Sequence, residues 1–171
     1  MDYASEKSIT PLSSIIKKSA GISTPPRGAA VVKAFSTRHK ARILALQALY
    51  EIDSAQRDSQ AVLSTERPQL TPTAKSRSFA RKVVQGVVEK RPEIDALIAL
   101  HAPDWPVDQI ANVDRNILRI AIFELIDVSE TPPKVVINEA IELAKVFGSE
   151  NSPKFVNGVL GAVVESEHIE V

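Results

Sequence analysis

The stretch Ile110-Ala111-Asn112-Val113-Asp114-Arg115-Asn116-Ile117-Leu118-Arg119-Ile120-Ala121-Ile122-Phe123-Glu124-Leu125-Ile126-Asp127-Val128 decides how the rest of the chain is read. Its Val, Ile, Leu, Ala and Phe residues leave almost no polar face at any helical phase, and its β-branched residues fall at helical spacing rather than in alternation. A helix apolar nearly all round must be covered on most sides, so this one is predicted to stand at the centre of a helical domain.

Outward from that centre, proline and glycine punctuate a series of further helices. Pro103 and Pro106 bracket the single tryptophan, Trp105, and mark a corner before the central stretch; Thr131-Pro132-Pro133 breaks the chain after it. Downstream, Val136, Ile137, Ala140, Ile141, Ala144 and Phe147 define a helix ending at Gly148, which suits the left-handed C′ position. Ser152-Pro153 then supplies an N-cap and N1 proline for a last helix with Phe155, Val156, Val159, Leu160, Val163 and Val164 as its seam. Upstream, a helix from Pro92 to His101 places Ile94, Leu97, Ile98 and Leu100 inward. Thr71-Pro72 opens the preceding helix, which carries Phe79, Val83, Val84, Val87 and Val88 until Arg91-Pro92 stops it. A short polar helix is expected from Gln56 to Glu66, and a first helix from Thr37 to Asp53, capped by Ser36 or Thr37, with Ile43, Leu46, Leu49 and Tyr50 on one side. The expectation is an all-α fold of six or seven helices, with no repeat of fixed period.

With 171 residues, 44% of them apolar, the chain supports one domain with a real core. The absence of cysteine excludes a disulfide framework, a thiolate zinc site, an iron–sulfur cluster and a cysteine nucleophile. No apolar stretch approaches the roughly 18 residues of a membrane span, so a soluble, cytoplasmic protein is expected. Residues 1–36 hold few large apolar side chains and a Thr24-Pro25-Pro26-Arg27-Gly28 break; they are predicted to be a flexible basic extension ahead of a domain over 37–168. Their Ser, Thr and Lys content also suits an organelle transit peptide, against which Asp2 and Glu6 count.

The net charge of zero conceals a segregation. Residues 1–50 carry eight Lys and Arg against two acids, and the remaining 121 carry thirteen against nineteen. Arg38-His39-Lys40-Ala41-Arg42 concentrates cations where a helix begins, and there the helix dipole disfavours each by a few tenths to about 1 kcal/mol. A polyanion such as nucleic acid would reverse that cost; the alternative is that these side chains pair with the acidic body or are simply solvated. Tyr50 and Phe155 are the aromatic candidates for stacking on bases.

Catalytic templates find no residues to fill them. His39, His101 and His168 are dispersed, there is no Walker loop or dinucleotide fingerprint, and no metal or cofactor site is indicated. Gly158-Val159-Leu160-Gly161 has the GxxG spacing of a backbone clamp, but within a Val and Leu stripe it reads as close helix packing. Glu139 and Glu142, a conceivable carboxylate pair, read as an ordinary solvated helix face.

Arg38-His39-Lys40-Ala41-Arg42 running into Ala45-Leu46-Gln47-Ala48-Leu49-Tyr50 resembles the opening helix of the NusB family. The resemblance continues in order through Asn116–Leu125, Val136–Gly148 and Lys154–Gly161, and spans about residues 37–165. It implies two packed, roughly perpendicular helical sub-bundles and a non-enzymatic RNA-binding factor for transcription antitermination. Members of the family bind the single-stranded boxA element of nascent ribosomal RNA with a small-subunit ribosomal protein, NusE. They work with the RNA polymerase elongation complex and other Nus factors to keep ribosomal RNA transcription processive, without cofactor or metal.

By position, the resemblance assigns Arg38, His39, Lys40 and Arg42 to an arginine-rich RNA-contacting start and Tyr50 to the RNA surface. Asp114, Asn151, Lys154 and Phe155 fall in the segments that complete it. His39 and Lys40 stand where arginines are common in the family, which weakens a bidentate phosphate grip, and Asn151 stands where an aspartate is familiar. Two other readings are a NusB-like domain separated from a ribosomal RNA cytosine methyltransferase, whose Rossmann-type domain and cysteine nucleophile this chain lacks, and a helical protein-interaction bundle.

Overall fold

In the computed structural model, which describes residues 36–64, 73–128 and 130–171, the described residues form seven α-helices and no strand. They are α1 (Thr37–Ala55), α2 (Ser59–Ser64), α3 (Ala74–Glu89), α4 (Arg91–His101), α5 (Asn112–Asp127), α6 (Pro133–Phe147) and α7 (Ser152–Ser166), with a 3-10 turn at Val107–Gln109. Residues 1–35 of the extension expected over 1–36, the Thr71-Pro72 cap and the end of the predicted second helix lie outside the described residues.

The apolar stretch does form the centre. α5 packs against α1, α3, α4, α6 and α7; α1, α2 and α3 touch one another, as do α6 and α7 and α4 and α7. Ile117, Leu118 and Ile122 are wholly covered, each contributing about 1.5–3 kcal/mol by leaving water. The contact with α3 depends on Gly86: a Cβ there would run into the ring of Phe123. α1 and α5 are antiparallel, since Arg42 near the start of α1 meets Glu124 near the end of α5, while Asp53 near the end of α1 meets Asn116. That arrangement fixes the two ends at which functional side chains gather.

Several local expectations give way to tertiary packing. α3 is capped by Thr73, whose Oγ1 accepts from the Ser76 amide at 3.1 Å, so the helix opens two residues beyond the Thr-Pro pair. On α4 the inward line is Ile94 and Ile98, one turn apart, and Leu100 lies on the outer face, 66% exposed. Gly148 has φ −91° and ψ −170°, extended rather than left-handed, and glycine is needed there because a Cβ would come within 2.5 Å of Ser152. Ser152 is the first residue of α7 rather than its N-cap, which is Asn151. Gly158 and Gly161 face outward with nothing within 4 Å of an added Cβ, so they do not serve close helix packing.

Candidate nucleic-acid interface

At the front of α1, Ser36 caps the helix by accepting from the His39 amide at 3.1 Å, and the cations that follow meet acids. Arg42 is only 2% exposed: its Nε and Nη2 donate to the two carboxylate oxygens of Glu124, both at 2.7 Å, and Nη1 reaches Glu139 at 3.4 Å. His39 is also buried, its Nδ1 donating to Glu139 Oε2 at 2.8 Å. Arg38 donates to Thr131 and Glu130, each at 2.9 Å, and lies 4.7 Å from the centre of the Phe79 ring. Of the alternatives open to the basic run, pairing with the acidic body is what the structure shows for these three side chains. Lys40, half-buried, has no acidic partner among the described residues.

Glu139 therefore does not sit on a solvated face. The hydrogen bond from His39 holds its carboxyl below the ordinary range against the opposing effect of burial, helped by the nearby charges of His39 and Arg42. Glu142 is exposed and, among the described residues, pairs with Lys145 at 2.7 Å. Glu130, on the surface, is likewise lowered by hydrogen bonds from Arg38 and Lys82.

A second group gathers at the opposite end of α1. Between Lys40 and Tyr50, the side chains of α1 that are not buried are Lys40, Gln47 and Tyr50, on the stripe that neighbouring helices leave uncovered. Gln47 was invisible to the sequence reading; its Oε1 is buried without a hydrogen-bond partner. One turn beyond Tyr50, Ser54 Oγ accepts from Asn112 Nδ2 at 2.9 Å, tying the end of α1 to the start of α5. Two residues into α5, Asp114 accepts from Ser152 Oγ at 2.8 Å, tying α5 to the start of α7. Tyr50, Asp114, Asn151, Lys154 and Phe155 are thus brought to one end of the domain, whereas Arg38, His39 and Arg42 lie toward the other.

The α5–α7 junction lines a groove of about 790 Å³ that includes Asp114, Asn151, Lys154, Phe155, Gly158 and Trp105. Trp105, whose flanking prolines mark a corner in the sequence, is 56% exposed and offers a flat apolar wall. Burial pushes the Asp114 carboxyl up from its ordinary range, with the Ser152 hydrogen bond opposing, and Asp114 Oδ1 has no partner. Lys154, exposed, supplies the cation of this groove. The chemistry available is a flat apolar wall beside a cation and a hydrogen-bonding carboxyl, suited to a base and its phosphate. Among the described residues no group of three His, Cys, Asp or Glu is placed to hold a metal, and no helix is long and apolar enough to cross a membrane.

Comparison with known proteins assigns the family: the NusB family model matches residues 39–165. The chain belongs to the NusB family. It is 49% identical over 135 residues to the transcription antitermination protein NusB of Chloroflexus aggregans, covering 78% of this chain and 90% of that one. The corresponding protein of Herpetosiphon aurantiacus is 46% identical over 138 residues, covering 79% and 94%. Among solved structures, T. maritima NusB superposes with a TM-score of 0.68 at 34% identity over 75% of this chain and 90% of that one. A chain from a crystal structure of antitermination factors NusB and NusE in complex with dsRNA gives 0.67 at 28% identity, over 76% of this chain and 97% of that one.

Proposed function

We propose that this NusB-family chain is a cytoplasmic, non-enzymatic transcription antitermination factor. It binds boxA-type single-stranded ribosomal RNA leader together with the ribosomal protein NusE, and acts with the elongating polymerase and other Nus factors to keep ribosomal RNA transcription processive. The observation that carries this reading is that Lys40, Gln47 and Tyr50 form the uncovered stripe along α1, continued at its far end by Lys154 and Phe155, so that two cations without an acidic partner among the described residues and two partly exposed aromatic rings share it. The antitermination names of the relatives and the NusB, NusE and RNA contents of a structural neighbour support it.

Within this reading, Arg42 and His39 act from inside: they fix the start of α1 and so the line on which Lys40 and Tyr50 stand. Titration of labelled boxA-type RNA with and without NusE tests the assignment. Replacing Lys40 and Lys154 by alanine should weaken binding and lower the log–log salt slope by about 0.7 for each lost phosphate contact. Replacing Tyr50 or Phe155 by alanine should cost roughly 1–3 kcal/mol per unstacked base with little change in that slope. Wild-type affinity in a variant carrying all four changes, at unchanged helicity, overturns the reading.

A further inference from the structure

On the flank of the α5 start opposite the groove lies a second depression, of about 460 Å³, lined by Ile52, Asp53, Gln56, Arg57, Arg91, Arg115 and Arg119. Residues widely separated in sequence, from the α1–α2 link, α4 and α5, bring four guanidinium groups together here. Asp53 is shared among three of them, at 3.1 Å from Arg91, 3.4 Å from Arg115 and 2.6 Å from Arg119. Arg119 is satisfied, because Asp95 takes two further hydrogen bonds from it, both at 2.7 Å. Arg57 is exposed at the rim and has no partner among the described residues. Two carboxylates thus face four fixed cations; Arg115 Nη1 is further held by the carbonyls of Val107 and Asp108, at 3.1 and 3.3 Å, so the groups most open to an anion are Arg57 and Arg91.

Further observations point the same way. Arg91 Nε and Arg115 Nε are buried without an acceptor, which is costly for a charged donor. We propose that this depression binds a phosphate oxyanion, held by the guanidinium forks of Arg57 and Arg91 with Arg115 behind them. Two sources offer that chemistry: free inorganic phosphate, and a phosphodiester of the RNA strand. The second rests on the RNA reading above, since Asp114 faces the groove while Arg115 beside it in sequence faces the depression, so a strand crossing the start of α5 reaches both.

The test uses the full chain and the variants Arg57→Ala, Arg91→Ala and Arg91→Lys, with Lys145→Ala as a charge-loss control on α6. Inorganic phosphate, against sodium chloride at equal ionic strength, should raise the thermal midpoint of wild type and of the control. The rise should be lost in the two alanine variants and partly restored in Arg91→Lys. For boxA-type RNA, the log–log salt slope should fall by about 0.7 in the alanine variants if the site holds a phosphodiester. A phosphate effect with an unchanged RNA slope assigns the site to free phosphate, and a slope change without one assigns it to the strand. Absence of both effects overturns the proposal, as does a selective loss of NusE affinity, which would give the cluster to a protein carboxylate. Failure of the Lys40 and Lys154 variants to affect RNA binding refutes the RNA reading alone, because the inorganic phosphate arm does not depend on it.

Discussion

The two ends of α1 use arginine in opposite ways. At the front, Arg42 has a buried carboxylate that matches both prongs of its fork, and Arg38 has Glu130. At the back, three arginines crowd one aspartate, and Arg57 stands unpaired beside them. The difference teaches that a run of cations in sequence is not by itself a polyanion site. What counts is the acid that the fold delivers to each one, and the conspicuous basic run is the better neutralised of the two.

The sharpest way to break this comparison is to remove half of the buried pair. Arg42→Ala leaves Glu124 charged and dry and should cost about 3–5 kcal/mol by denaturant unfolding, while replacing both partners by apolar residues of similar volume should be far milder. Equal losses for the single and double variants would contradict the pairing. Asp53→Asn comes next, at roughly 1–3 kcal/mol, because it leaves like charges facing one another but Arg91 and Arg115 are partly wetted.

Acid should separate the two ends further. The Glu139 carboxyl is held low, so its ion pairing stabilises the fold above the ordinary glutamate value and is lost as pH falls through its lowered one. Asp114 is shifted the other way: its contribution is present below the ordinary aspartate value and is lost as pH rises through its raised one. Thermal midpoints across pH should therefore show Glu139→Gln most destabilised near neutrality and converging with wild type in acid, with Asp114→Asn instead matching or exceeding wild type near neutrality. The smallest effect belongs to Arg57→Ala, within about 0.5 kcal/mol in stability, since nothing in the fold leans on it.

Helix positions were legible in the sequence because burial leaves a periodic trace: the apolar run of α5 and the Val line of α3 are local patterns. Tyr50, Lys154 and Phe155 could be picked out through family resemblance, and the structure leaves Tyr50 and Phe155 half-buried and Lys154 exposed. The roles of Arg42 and His39 could not be read, because their partners lie 82 and 100 residues away. The arginine depression left no local signal for the same reason. Gly158 and Gly161 misled because a glycine at helical spacing looks alike whether a neighbour presses on it or solvent does, and Leu100 misled because α4 presents only one narrow line to the core.

The Arg42–Glu124 pair also carries a consequence for synthesis. Translation proceeds at roughly 5–20 residues per second, so the opening helix leaves the ribosome several seconds before its counter-charge, 82 residues downstream, has been polymerised. Until the fifth helix has been made, that arginine lacks the carboxylate that matches both prongs of its fork in the folded chain.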